Sequence, residues 1–206
     1  MSTDSSTSPW APLREPLRAD RTAVVFMDLQ GAIINLPATP HTVASVVQAA
    51  TEVLAAARES SIQVFFVRAG TEPDGLDWPA PDSGVPHQAR QFSAADREIM
   101  PELDRRSGDI LITKRQWGAF YGTDLELQLR RRGIDTLVLS GISTNHVVES
   151  SARDAWERGF RLLFVEPAMS GMVPGMHQAA IEHTFPRIGH VLDTTTTCQL
   201  LRTAHL

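Results

Sequence analysis

Asp28 and Lys114 are the residues of this chain whose types and positions most directly offer chemistry. Asp28 closes the apolar run Thr22-Ala-Val-Val-Phe-Met27, and Lys114 follows Asp109-Ile-Leu-Ile-Thr113. A partly buried carboxylate beside an ammonium can donate or accept a proton. Lys114 is the single lysine among 19 basic residues; arginine serves everywhere else. The ammonium is a compact point charge with an adjustable proton affinity, so its retention points to close-range chemistry. A third position is Gly141-Ile-Ser-Thr-Asn145, which follows the run Thr136–Leu139. It leads into helical spacing at Val147, Val148, Ser151, Ala152, Ala155 and Trp156. Such a strand-to-helix elbow leaves backbone N–H groups open to an anion. Each feature has an ordinary counterpart: strand-end aspartates cap helices, a lysine pairs with a surface acid, and many βα junctions share this composition.

The three positions meet only if the elements that carry them form a parallel sheet. Runs at 22–27, 62–67, 109–113, 136–140, 160–165 and 188–192 read as strands. Between the first two, His41–Ser60 sets Val43, Val46, Val47, Ala50, Val53, Leu54 and Ala57 at helical spacing, giving a βαβ unit with parallel strands. Thr123–Arg132 reads as a helix opened by a capping box of Thr123 with Glu126 and stopped by Gly133; Arg130–Arg132 is its solvated end. A loop is expected at Pro167–Pro174, then a helix over 175–185 and a short terminal helix. Strand and helix alternate, which defines an α/β fold with helices on both faces of the sheet. Asp28, Lys114 and Val147 then gather at the carboxyl edge of the strands, where open α/β sheets bind ligands. Residues 69–100, rich in proline and glycine, read as a lid or pocket wall, or as disorder, with Trp78, His87 and Phe92 facing a ligand or a partner subunit. Residues 1–20 read as a flexible or draped arm, with Trp10 and Leu13 as anchors, ahead of one domain over 21–206.

The net charge of −5 argues against nucleic acid or an anionic membrane as partner. No apolar run is long enough to cross a membrane. One cysteine, Cys198, allows no internal disulfide and fits a reducing compartment. With an N-terminus lacking a signal-peptide pattern, it predicts a cytoplasmic protein. The histidines show no metal-ligand spacing beyond a weak His177/His183 pair, so neither a metal nor a cofactor is expected. His146 is expected to face an interface or solvent, because neighbouring helix positions point about 100° apart. Ser143 and Ser150 lack a visible base, and Cys198 reads as a packed residue.

Three motifs in order resemble the isochorismatase-like (cysteine hydrolase) family. They are Val-Val-Phe-Met-Asp28-Leu-Gln30, the segment Lys114-x5-Phe120-x2-Thr123-x-Leu125, and the elbow Gly141-Ile-Ser-Thr-Asn145. The resemblance covers most of residues 20–195 and implies a Rossmann-like, three-layer α/β/α sandwich with a mostly parallel six-stranded sheet. It also implies that Asp28 and Lys114 are catalytic members of an Asp-Lys-Cys triad. The bond Ile142–Ser143 takes the place of a cis peptide whose neighbouring N–H groups form an oxyanion site. Gln30, Trp117, Phe120, Ile142 and Ser143 become substrate-binding residues, although Phe120 is as readily a core residue. The cysteine position falls on Val147, so the chain resembles a branch that lacks the nucleophile. Family members generally assemble, which predicts a homo-oligomer, dimer or tetramer.

Two functions follow from the resemblance. In the first, the chain is a hydrolase of a small, anionic molecule. Asp28 acts as general acid on a vinyl ether, as in the isochorismatase branch, and Lys114 holds a substrate carboxylate or tunes Asp28. In the second, the chain keeps the fold as a ligand-binding or assembly protein. The retained Asp28 and Lys114 favour the first; the bulk of Val147, where cysteine-less catalytic relatives often carry glycine, favours the second.

Overall fold

The computed structural model of the protein describes residues 13–84 and 91–205. Six strands, β1 (Thr22–Met27), β2 (Gln63–Ala69), β3 (Ile110–Lys114), β4 (Thr136–Ile142), β5 (Arg161–Ser170) and β6 (His190–Leu192), form one sheet in the order β3-β2-β1-β4-β5-β6. Every pairing is parallel.

The strand side chains alternate between two apolar layers. On one face, Val24, Phe26, Val64, Phe66 and Val138 pack with α1 (Val43–Glu59) and with Cys198 and Leu201 of α7 (Thr194–Arg202). On the other, Val25, Met27, Phe65, Val67 and Leu139 pack with Leu125 and Leu129 of α3 (Leu125–Arg131) and with Ala152 and Ala155 of α4 (Glu149–Glu157). This is the three-layer α/β/α arrangement. A strand buried on both faces must be apolar throughout, which is why β1 and β4 read as unbroken runs. Helix α1 buries every apolar position named from its spacing, and the Thr42 hydroxyl caps it by accepting from Ser45 N–H at 3.2 Å.

Three expectations are corrected. Helix α3 begins at Leu125, with no capping box: Thr123 Oγ1 donates to Ala119 O at 2.6 Å and accepts from Leu125 N–H. Glu126 instead pairs with Arg158 at 2.9 Å. The segment expected as a loop from Pro167 is still strand, because β5 runs to Ser170 through an irregularity. Its register against β4 jumps from Leu139↔Phe164 to Gly141↔Met169. Proline, which has no N–H to give a ladder, is tolerated in a bulge of this kind. The helix expected over 175–185 is α5 (Met176–Ala179), a π-turn (Ala180–Thr184) and α6 (Phe185–Ile188). The elbow also opens on a π-turn, Thr144–Val148, and no side chain caps it.

Of residues 69–100, Ala94–Arg97 form the one-turn helix α2, closed by a capping box between Ser93 and Asp96. Residues 13–20 lie along the layer of α1 and α7. Leu17 and Ala19 are buried there, and Ala19 N–H donates to His205 O at 2.7 Å. Trp10 and His87 lie outside the described residues. No helix among the described residues is long and apolar enough to cross a membrane.

Candidate active site

The sheet order reverses between β1 and β4: the chain proceeds from β1 to β2 and β3 on one side, and from β4 to β5 and β6 on the other. A crevice opens beyond the carboxyl ends at such a switch point. Asp28, the first residue past β1, has a left-handed φ of 55°. Its N–H donates to Val67 O (2.8 Å), and its carbonyl accepts from Gln30 N–H (2.9 Å). A non-glycine residue in that region is uncommon and worth attention as a functional position. Lys114 ends β3, two strands away. Its Nζ donates to Asp28 Oδ2 at 2.7 Å and to Gln116 O at 3.1 Å. The ammonium side chain is 1% exposed and the carboxylate 10%, so each charge depends on the other for compensation.

The elbow approaches from β4. Gly141 has φ 138°, and a Cβ on it would stand 2.1 Å from Met27 O. Only glycine lets the end of β4 lie so close to the end of β1. The next peptide, Ile142–Ser143, is cis, and Ser143 O then accepts from Val147 N–H (2.9 Å) and Val148 N–H (3.2 Å). Ser151 Oγ donates to Val147 O and accepts from Ala119 N–H, which ties the segment carrying Trp117 to the elbow.

These elements enclose a cavity of about 80 Å³, lined by Asp28, Lys114, Ile142, Ser143, His146 and Val147, with Gln30, Trp78, Phe92, Trp117 and Met172 also on its wall. Past Trp78 and Trp117 lies a wider groove of about 480 Å³ whose wall includes Tyr121, Ser150 and Asp154. Trp78 and Phe92 therefore face the cavity, as the sequence suggests, with ring centroids 5.6 Å apart. Gln30 is on the wall, but its amide is spent on the scaffold: Nε2 donates to Ala69 O and Asp96 O, and Oε1 accepts from Ala69 N–H. Phe120 is not on this wall. It is 6% exposed within the α3/α4 layer, with its ring 5.9 Å from that of Phe160.

His146 is the residue the sequence misplaces. It lines the cavity, its ring 4.5 Å from that of Trp117 and Nδ1 3.4 Å from Ser143 Oγ. The turn that carries both residues, Thr144–Val148, is a π-turn, and 146 and 147 lie on one wall of the cavity. Burial pushes the His146 imidazole down from its ordinary value, towards the neutral form. The contact to Ser143 is long for a base activating a hydroxyl. Cys198 is buried on α7 in the opposite layer, and burial pushes its thiol up; it has no part in this site.

An open parallel α/β sheet thus presents a buried carboxylate–ammonium pair at its switch point, where such sheets bind ligands. Residues 22–196 match the isochorismatase domain, and the chain belongs to the isochorismatase family. It is 47% identical over 182 residues to the uncharacterized isochorismatase family protein YecD of Escherichia coli O157:H7, covering 85% of this chain and 93% of that one. An isochorismatase family protein of Burkholderia thailandensis has the same fold, with TM-score 0.87 and 36% identity over 91% of this chain and 99% of that one. The ureidoacrylate amidohydrolase RutB of Methylorubrum extorquens is 28% identical, covering 91% of this chain and 85% of its own. The chain is thus an isochorismatase-family hydrolase.

Proposed function

We propose that the chain hydrolyses a small, anionic vinyl ether by protonation from Asp28, without a covalent intermediate. The observation that carries this reading is the buried Asp28–Lys114 pair on a cavity whose wall includes Val147, the residue that the elbow's resemblance aligns with the family's cysteine. Valine cannot attack a carbonyl, and vinyl-ether hydrolysis requires no attack by the protein. In this reading the Lys114 ammonium turns to the substrate carboxylate and Asp28 acts in its acid form: it delivers its proton to the enol-ether carbon, and the C=C electrons become the new C–H bond. The ether oxygen shares the resulting positive charge as an oxocarbenium ion. Water adds to that ion, and the hemiketal collapses to a carbonyl compound and an alcohol. The proton that the added water gives up returns to Asp28, so acid, water and products balance over one turnover. His146, biased to the neutral form, is the wall residue suited to take the proton the water gives up. The backbone around Ile142–Ser143 and the Lys114 ammonium suit a substrate carboxylate.

A second reading, a ligand-binding or assembly protein without turnover, is favoured by Val147 and Met172 on the wall and by the cavity's small volume. Assembly as a cytoplasmic homo-oligomer, dimer or tetramer, belongs to either reading and is supported by the exposed Trp117, Tyr121 and Trp156 and by a single buried cysteine. The test is a hydrolysis screen of isochorismate, other vinyl ethers, small amides and ureido acids, the last two because of the amidohydrolase relative. Asp28→Asn and Lys114→Ala serve as controls. Turnover of an enol ether, lost in both variants, supports the proposal. Turnover of an amide overturns it, and silence across the panel with retained binding of small carboxylates moves the assignment to the second reading.

A further inference from the structure

Outside the cavity, three side chains from distant parts of the chain converge. His41 stands just before α1, Glu166 in the irregular stretch of β5, and His177 on α5. His41 Nε2 lies 2.7 Å and His177 Nε2 3.0 Å from the same oxygen, Glu166 Oε1, and one donor atom from each residue falls within 4.8 Å of the others. The geometry points to a binding site for one borderline divalent transition ion, with zinc as the best match, held by His41, Glu166 and His177.

Two imidazoles and one carboxylate are a donor set for zinc or another imidazole-preferring ion and leave further coordination positions for water. Ligand bonds of about 2.0–2.1 Å set neighbouring donors of a tetrahedral site about 3.3 Å apart. The two His–Glu spacings of 2.7 and 3.0 Å need to open by roughly 0.3–0.6 Å to admit the ion, with the three donor atoms already within 4.8 Å of one another. His41 and Glu166 are about 30% exposed at their side chains, which gives an entry path, whereas His177 is 1% exposed and fixed.

The surroundings hold these donors in place. Ser170 Oγ accepts from His41 N–H and donates to His41 O, and residues Thr39 and Gly171 exchange backbone hydrogen bonds at 2.8 and 2.9 Å. The turn bearing His41 is thereby stitched to the strand bearing Glu166. His177 Nδ1 lies 2.8 Å from Thr144 Oγ1. A hydroxyl both donates and accepts, so it serves either tautomer. With Nε2–H on Glu166, the hydroxyl donates to Nδ1; with Nε2 on a metal, Nδ1–H donates to the hydroxyl. This is the outer partner that metal-bound histidines characteristically use. Thr144 is the first residue of the π-turn, so an ion here would brace the elbow beside the candidate active site.

The test is binding of Zn2+ and of Co2+ to untagged, chelator-treated protein, by calorimetry and by the visible absorption of bound Co2+. The expected result is one ion per chain, with Co2+ bands of four- or five-coordinate nitrogen–oxygen ligation. His41→Ala and Glu166→Gln should abolish both, and Thr144→Val should weaken binding by about 10–100-fold. Melting curves in chelator check that each variant is folded, and the wild-type melting temperature should rise with Zn2+. Absence of binding by the folded wild type overturns the assignment and leaves a hydrogen-bonded brace. Binding that survives in both His41→Ala and Glu166→Gln overturns it as well.

Discussion

Because Asp28 and Lys114 are buried against each other, their replacements should differ in kind. Asn at 28 keeps the shape and an acceptor for Lys114 Nζ but has no proton to deliver. Asp28→Asn should therefore lose turnover by about 100-fold or more in steady-state kinetics, and, because it leaves the buried Lys114 ammonium without a counter-charge, should also melt below the wild type. Lys114→Ala leaves a carboxylate buried without its cation and should cost about 3–5 kcal/mol in urea unfolding. In the Asp28→Asn/Lys114→Met double variant no charge is stranded, so its loss should be smaller than that of Lys114→Ala alone. Asp28 and Lys114 are legible in the sequence because a strand end fixes a residue's place. His146 was not: its place on the cavity wall depends on packing beside Trp117, a residue 29 positions earlier that helical spacing does not reach.

At the level of elements, the approach of β4 to β1 at the site rests on Gly141. Gly141→Ala would combine a strained positive φ with a clash on Met27 O, and should destabilise the fold by about 2–4 kcal/mol in denaturant unfolding. A second element-scale test concerns the N-cap of α7. Asp193 Oδ1 accepts from Thr196 N–H at 2.8 Å and Oδ2 from Thr196 Oγ1 at 2.7 Å. Hydrogen bonds from Thr196 hold the Asp193 carboxyl below its ordinary value in the folded chain. A carboxyl lowered on folding stabilises above its unfolded value, and that stability fades as pH falls through the folded one. Asp193→Ala should thus cost about 1 kcal/mol at neutral pH, with the gap to wild type narrowing as pH falls below the ordinary carboxylate range. A gap independent of pH would contradict this account of the cap. The strands and α1 were legible from apolar runs and helical spacing. The continuation of β5 was not, since Pro167 argues against a strand unless the ladder is already interrupted there, and that interruption depends on the neighbouring strand.

At the level of the whole molecule, the order of elements gave the parallel sheet, and the sheet gave the shared edge for Asp28, Lys114 and the elbow. The His41–Glu166–His177 cluster was out of reach, since contacts between residues 125 positions apart leave no spacing to read. Trp117 and Tyr121, exposed on the wall of one groove, and the exposed Trp156 are large aromatics of the kind that self-association covers. Light scattering should give two or four times the 22.6 kDa of one chain, and a monomer at working concentration would contradict the assembly.

The central claim is that Asp28 protonates carbon and that the protein forms no covalent bond to substrate. Hydrolysis of an enolpyruvyl ether in deuterium oxide, with the product followed by NMR, tests it most directly. One deuterium is expected on the former vinylic carbon at every turnover, with a rate slowed in deuterium oxide and loss of both signal and turnover in Asp28→Asn. Product formed without deuterium on that carbon, or at an unchanged rate by Asp28→Asn, would contradict it.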